Sequence, residues 1–305
     1  MADTGAPPGI DPGVAISEDA FAKINLALHV TGQRDYGYHL LEMLVTFTRS
    51  GDRLDFATAD TDEFHISGRF GDALAGDGGT NLVLKARDAL RPAVVDAGGV
   101  APPVRIHLRK DLPIASGIGG GSADAAAVLR GLMRLWGTPL PAATLDAIAI
   151  KLGADVPMCL ASRPLIARGI GEEIETVGDL PVFPMVLANP LKGVSTPEVF
   201  RRLATKTNGA LAIAPGLFWL DALRAMRNDL EAPARALLPE IAEISDMLRD
   251  QGALFVRMSG SGATCFGIFA SLDEAEAAAR ALHGKRPDWY FEATETLAGD
   301  DDDRC

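Results

Sequence analysis

Cysteine is scarce in this chain of 305 residues: Cys159, Cys265 and Cys305 stand far apart and form neither a CxxC pair nor an even-numbered framework. That excludes a disulfide-stapled fold and makes a reducing compartment, the cytoplasm, the natural expectation. Aromatics are also few, at 6%. No run approaches the roughly 18 uninterrupted apolar residues of a spanning helix, so no membrane is expected. Positive charge is in deficit, with 41 acidic against 29 basic residues and a net charge of −12. Such a surface repels nucleic acid and anionic membrane. A small anion would have to be held locally, by backbone N–H groups, a helix N-terminus or single Lys and Arg side chains.

Residues 1–16 lack the basic start and apolar run of a signal peptide and read as a disordered leader. Residues 298–305, with four consecutive aspartates, read as a solvated acidic tail and not as a metal site.

What is present is a large apolar fraction, 48%, rich in Ala and Gly, which suits helices packed on a sheet in a soluble α/β or α+β protein. The length predicts two domains. The pattern changes around residues 178–184, dividing 17–178 from 179–297.

Along 21–30, Ile24, Leu26, Leu28 and Val30 alternate with Lys23, Asn25, Ala27 and His29, the period of a half-buried strand with Lys23, Asn25 and His29 on one face. A turn-rich connection then leads to a neighbouring strand at 40–47. Residues 81–90 read as a helix, and Val104, Ile106 and Leu108 mark a strand. A helix is predicted over 122–136, and another over 142–152 that stops at Gly153. Asp155, with Pro157 behind it, reads as the N-cap of a short helix. Later elements are strands at 185–189, 254–258, 264–269 and 289–294, with helices from Thr196, over 217–226, 233–250 and 272–282.

The stretch from 113 to 126, PIASGIGGGSADAA, is the most informative, because it places four glycines in five positions directly before a helix. Unobstructed backbone amides and the partial positive charge of the helix N-terminus make an anion site, with phosphate the obvious occupant. Neither the G-x-G-x-x-G dinucleotide fingerprint nor a Gly-Lys-Ser/Thr loop is present; a flexible turn is the competing view. Lys23 taken alone could as well snorkel to solvent, and Asp155 taken alone could be a simple cap. Residues 259–264, SGSGAT, are either a hairpin turn or a loop packed closely against the phosphate loop. Tyr36, Tyr38 and His39 gather ring-contacting capacity in one connection, for stacking on a planar ligand or as a structural aromatic cluster.

Together these residues resemble the GHMP small-molecule kinases, the superfamily of galactokinase and of homoserine, mevalonate and phosphomevalonate kinases. Residues 113–126 resemble its phosphate loop and 259–264 its C-terminal glycine motif. Within it, AKINL at 22–26, GQRDYGYH at 32–39, GGGS at 119–122 and LGADVP at 152–157 are similar to the branch that phosphorylates a cytidine diphosphate-linked methylerythritol in non-mevalonate isoprenoid biosynthesis. The likeness runs collinearly from about 21 to 296.

The resemblance implies an α+β, two-domain GHMP kinase fold: an ATP-binding domain like the second domain of ribosomal protein S5 over 17–178, and a ferredoxin-like domain over 179–297. It implies transfer of the ATP γ-phosphate to the 2-hydroxyl of the acceptor, with MgATP as the substrate form. Asp155 would accept or orient the hydroxyl proton, while Lys23 would hold Asp155 ionised and stabilise the transferring group. ATP would be bound by Pro113, Ile114, Ala115, Ser116, Gly117, Ile118, Gly119, Gly120, Gly121, Ser122 and Ala123, with Asn81 and Lys110 near the adenine. Tyr38 and Phe200 would sandwich the cytosine and His39 read its edge, with Asn25 and Thr196 on the diphosphate or erythritol portion. Ala123 departs from the pattern, which has a second serine there, so no Mg²⁺ ligand is assigned. The alternatives are a mevalonate- or homoserine-type acceptor, against which the Tyr38-His39 pair argues, or a nucleotide-binding regulator without catalysis.

Overall fold

The computed structural model describes residues 15–34, 37–74, 81–213 and 218–299. Two long strands, β1 (Ile16–Gln33) and β2 (His39–Thr58), pair antiparallel and carry the rest of the first sheet. Both outrun the predicted strands, β2 continuing through Ser50 and Gly51. Gly51 stands opposite Phe21, and a Cβ there would come 2.5 Å from the Ala20 carbonyl oxygen, so glycine alone lets the strands close at this point.

Register shifts interrupt β1 between Phe21 and Lys23, Asn25 and Ala27, and Val30 and Gly32. The first adds two residues to β2; the second and third each add one to β1 and break its alternation. The shared face expected for Lys23, Asn25 and His29 fails at the second shift. Beyond it, Leu28 joins Lys23 and Asn25 in lining a cavity, and His29 turns away. There its Nδ1 stands 3.2 Å from the Gly209 carbonyl oxygen, and its Nε2 accepts from the Arg227 amide at 3.2 Å.

After β2 come β3 (Glu63–Ser67), α1 (Leu82–Asp96), β4 (Val104–Arg109), α2 (Gly120–Trp136), α3 (Ala142–Leu152), α4 (Val156–Ala161), β5 (Leu165–Gly169) and β6 (Glu173–Thr176). The sheet order is β3-β4-β2-β5-β6, with β1 on β2. The second half contains β7 (Pro184–Asn189), α5 (Thr196–Arg201), α6 (Trp219–Ala225), α7 (Glu231–Leu237), α8 (Glu240–Asp250), β8 (Phe255–Met258), β9 (Cys265–Ile268), α9 (Leu272–Lys285) and β10 (Tyr290–Glu295). Its antiparallel sheet has the order β10-β7-β9-β8. The single helix expected over 233–250 is two, because Leu238, which precedes Pro239, is extended at φ −136° and ψ 92°.

The sheets share a core. Ala22, Ile24 and Leu26 of β1 cluster with Met185 and Leu187 of β7 and Phe266 and Ile268 of β9, while α8 and α9 pack on the second sheet. Backbone bonds reinforce the junction: the Leu28 amide donates to Arg227 O at 2.9 Å, and Leu297 to Phe47 O at 2.8 Å. The change of pattern at 178–184 falls in the connection from β6 to β7. The leader expected over 1–16 lies outside the described residues except for 15 and 16, as does the acidic tail beyond Gly299. Among the described residues no helix is long and apolar enough to cross a membrane.

Candidate active site

The glycine run ends as the first turn of α2, whose N-cap, Gly119, takes the left-handed φ of 66°. A Cβ on Gly119 would also press on the Lys23 side chain, 3.2 Å from its Cβ. The loop thereby presents free amides at a helix N-terminus. Residues 259–264 pack on it backbone to backbone, as the functional reading of that segment anticipated: a Cβ on Gly117 would stand 2.6 Å from Gly262 O. Ser259 Oγ accepts from the Asn25 amide at 3.0 Å and donates to Gly117 O at 3.1 Å, and the Thr264 amide donates to Ser116 O at 3.1 Å.

Beneath the loop lies a buried ionic triad. Lys110 Nζ is 2.6 Å from Asp52 Oδ2 and 2.6 Å from Asp124 Oδ2. The other Asp52 oxygen accepts from the amides of Asp111 and Leu112 at 2.7 and 2.8 Å. Burial works against the Lys110 ammonium, but the Asp124 and Asp52 carboxylates outweigh it and raise its pKa. Burial, with the charge of Asp52, pushes Asp124 up to about 8 against the pull of Lys110. Lys110 was expected near adenine; it lines the cleft, and its charged head pairs with these two carboxylates under the loop.

Above the loop the second lysine–aspartate contact is open. Asp155 caps α4 by position only: its carboxylate makes no capping hydrogen bond, and its Oδ2 lies 2.8 Å from Lys23 Nζ. The Lys23 side chain is 4% exposed and that of Asp155 36%. The lysine therefore does not snorkel, and the carboxylate turns away from capping to face the cleft. Cys159, one turn into α4, is buried, which pushes its thiol up to about 12.

The cleft has a volume of about 630 Å³ and is lined by Lys23, Asn25, Asn81, Asp155, Thr196 and Phe200 together with Pro113, Ile114, Ala115, Ser116, Gly117, Gly119, Gly120, Gly121 and Ser122. Ile118 and Ala123, expected with them, point into the core. The Ala123 amide is engaged within the helix, donating to Gly119 O at 2.8 Å. Asn25 is 1% exposed, and neither atom of its side-chain amide has a partner among the described residues. A buried orphan amide on a cleft wall marks a place for a ligand. Asn81 Oδ1 accepts from the Val83 amide at 2.9 Å, capping α1. Thr196 Oγ1 meets Ser261 Oγ at 2.7 Å.

At the far end of the cleft, the expected partner of Phe200 changes. Its ring stacks on His39, with centroids 4.7 Å apart and planes at 25°. Tyr38 is 61% exposed, and Tyr36 lies outside the described residues. His39 Nε2 is buried without a partner among the described residues. Burial, aided by Lys206, holds the imidazole pKa below its ordinary 6.5. Sequence reasoning missed Ser261, although it stands in the SGSGAT motif, and the apolar wall of Leu28, Leu41 and Met43. It also missed the Asp52 and Asp124 partnership, which no spacing announces.

Comparison with known proteins agrees with this architecture. The GHMP kinases N terminal domain matches residues 81–163, and the GHMP kinases C terminal domain matches 217–287. The 4-diphosphocytidyl-2-C-methyl-D-erythritol kinase of Rhizobium leguminosarum bv. trifolii is 70% identical over 295 residues, covering 95% of this chain and 98% of that protein. The same-named protein of Agrobacterium fabrum is 62% identical over 286 residues, covering 92% and 96%. A crystal structure of 4-(cytidine 5'-diphospho)-2C-methyl-D-erythritol kinase superposes with a TM-score of 0.77 at 34% identity, covering 93% of this chain and 100% of that one. Homoserine kinase from Cytophaga hutchinsonii, at 18% identity and a TM-score of 0.68, covering 96% and 98%, shares the fold.

Proposed function

Because the chain belongs to the 4-diphosphocytidyl-2-C-methyl-D-erythritol kinases of the GHMP family, we propose that it phosphorylates the 2-hydroxyl of that cytidylated methylerythritol with ATP. The reaction is a step of non-mevalonate isoprenoid biosynthesis, and we assign it to the cytoplasm, where ATP is held. The observation that carries the reading is the Lys23 Nζ–Asp155 Oδ2 contact of 2.8 Å on the same cleft as the glycine loop.

Phosphoryl transfer passes through a loose transition state, so placement and electrostatics outweigh covalent chemistry. The loop amides hold the terminal phosphates of ATP. Asp155 orients the acceptor hydroxyl and takes its proton, and Lys23 offsets charge on both the carboxylate and the transferring group. Asn25 offers its unpartnered amide to the diphosphate or erythritol portion, with Thr196 beside it. Phe200 and His39, with Tyr38 at the rim, take the cytosine; a neutral imidazole suits reading of a base edge. Mg²⁺ arrives on the nucleotide's phosphates.

Coupled measurement of ADP release with the cytidylated methylerythritol, mevalonate and homoserine in parallel tests the reading. Turnover with the first alone is expected. Turnover with mevalonate or homoserine in its place would change the acceptor, and none with any of the three would remove the kinase activity.

A further inference from the structure

A second cavity, of about 420 Å³, has Asp52 in its wall, the same carboxyl that anchors Lys110 under the phosphate loop. Arg49 and Arg53 of β2, Arg69 beyond β3, Arg109 at the end of β4, and Tyr290 and Glu292 of β10 converge on it. Four guanidinium groups at one hollow run against the acidic balance of the chain.

Three of the four are held loosely. Arg49 Nε stands 3.8 Å from Glu295, and Arg53 stands 3.5 Å from Asp55 and 3.8 Å from Asp19. The Arg69 guanidinium lies 4.9 Å from the Tyr290 ring centroid and has no carboxylate within ion-pair distance among the described residues. Only Arg109 is in a tight pair, 2.7 Å from Asp111. Tyr290 is 2% exposed, and its hydroxyl has no hydrogen-bond partner among the described residues. Asp19, Asp111 and Glu292 also face the cavity. Burial, against the pull of Arg69 and with the charge of Asp111, holds the Glu292 carboxyl above its ordinary range.

We propose that this cavity is a second anion site, separate from the nucleotide and acceptor cleft, that binds a diphosphate group. Guanidinium forks match phosphate oxygens in pairs, and a loosely held fork reorients onto them with little lost. The unpartnered phenol supplies a further donor. The volume exceeds that of a lone phosphate and falls in the range of small-molecule sites. The inference does not rest on the identity of the acceptor.

The test is a calorimetric titration of the full chain with inorganic diphosphate, after saturation of the cleft with a non-hydrolysable ATP analogue. Sulfate at matched ionic strength serves as the control. Saturable one-to-one binding is expected with diphosphate and not with sulfate. The double substitution Arg53→Gln/Arg69→Gln is expected to weaken it at least about tenfold while leaving the melting temperature and ligand-free turnover unchanged. Tyr290→Phe, which keeps the ring, should weaken it several-fold. Binding that disappears once the cleft is filled, equal heats with sulfate, or undiminished affinity in the double variant would overturn the proposal.

Discussion

Two lysine–aspartate contacts flank one glycine loop, and their settings are opposite. Lys110 is buried between two carboxylates, Asp52 and Asp124, and of their four oxygens only Asp124 Oδ1 has no partner among the described residues. Lys23 meets a single carboxylate, and Asp155 keeps an oxygen toward the cleft. The same pair of residue types thus serves as foundation in one place and, in the reaction proposed, as reactive group in the other. The number of partners and access to the cleft decide which.

Substitution separates the two roles. Lys110→Met leaves two buried carboxylates facing each other, and removing one partner of a buried ion pair costs about 3–5 kcal/mol. A fall in folding stability of that size is expected in urea unfolding; an unchanged midpoint would show that the triad carries no load. Asp155→Asn should leave stability nearly intact and lower kcat at least about 10²-fold, as loss of a proton acceptor does. Near-normal turnover would reduce Asp155 to a structural partner of Lys23.

Two smaller effects sharpen the contrast away from the loop. Phe200→Ala removes the ring stacked on His39 and should raise KM for the cytidylated acceptor about tenfold, the order of a lost aromatic stack, with KM for ATP unchanged. Equal losses for both substrates would argue against an aromatic acceptor platform. Finally, a lowered His39 pKa keeps the ring neutral above pH 6.5. Acceptor KM is expected to stay flat above that pH and to rise only on acidification below it, and His39→Gln should abolish the rise. A rise centred above pH 6.5 would place the titration elsewhere.

Local patterns were readable where local physics decides. Helix α3 ends at Leu152, before Gly153, as its stop signal predicts, and the apolar alternation of Val104, Ile106 and Leu108 is β4. The glycine loop opening onto a helix was equally plain. What escaped depends on partners distant in sequence. β5 and β6 are short strands whose pairing with β2 and with each other defines them. The run of β2 through Ser50 and Gly51 likewise depends on β1 lying across it. The triad joins positions 52, 110 and 124, which no periodicity relates. In the site, residue types were legible and directions were not: Ile118 and Ala123 stand in the expected segment with their side chains buried in the core.

The extra residue in β1 after Asn25 divides one strand into two vocabularies on the cleft wall, polar upstream at Lys23 and Asn25 and apolar downstream at Leu28. Strict alternation with Leu26 retained would set Ala27 and His29 on the wall of the cleft where Leu28 now stands; the bulge is what keeps Leu28 there.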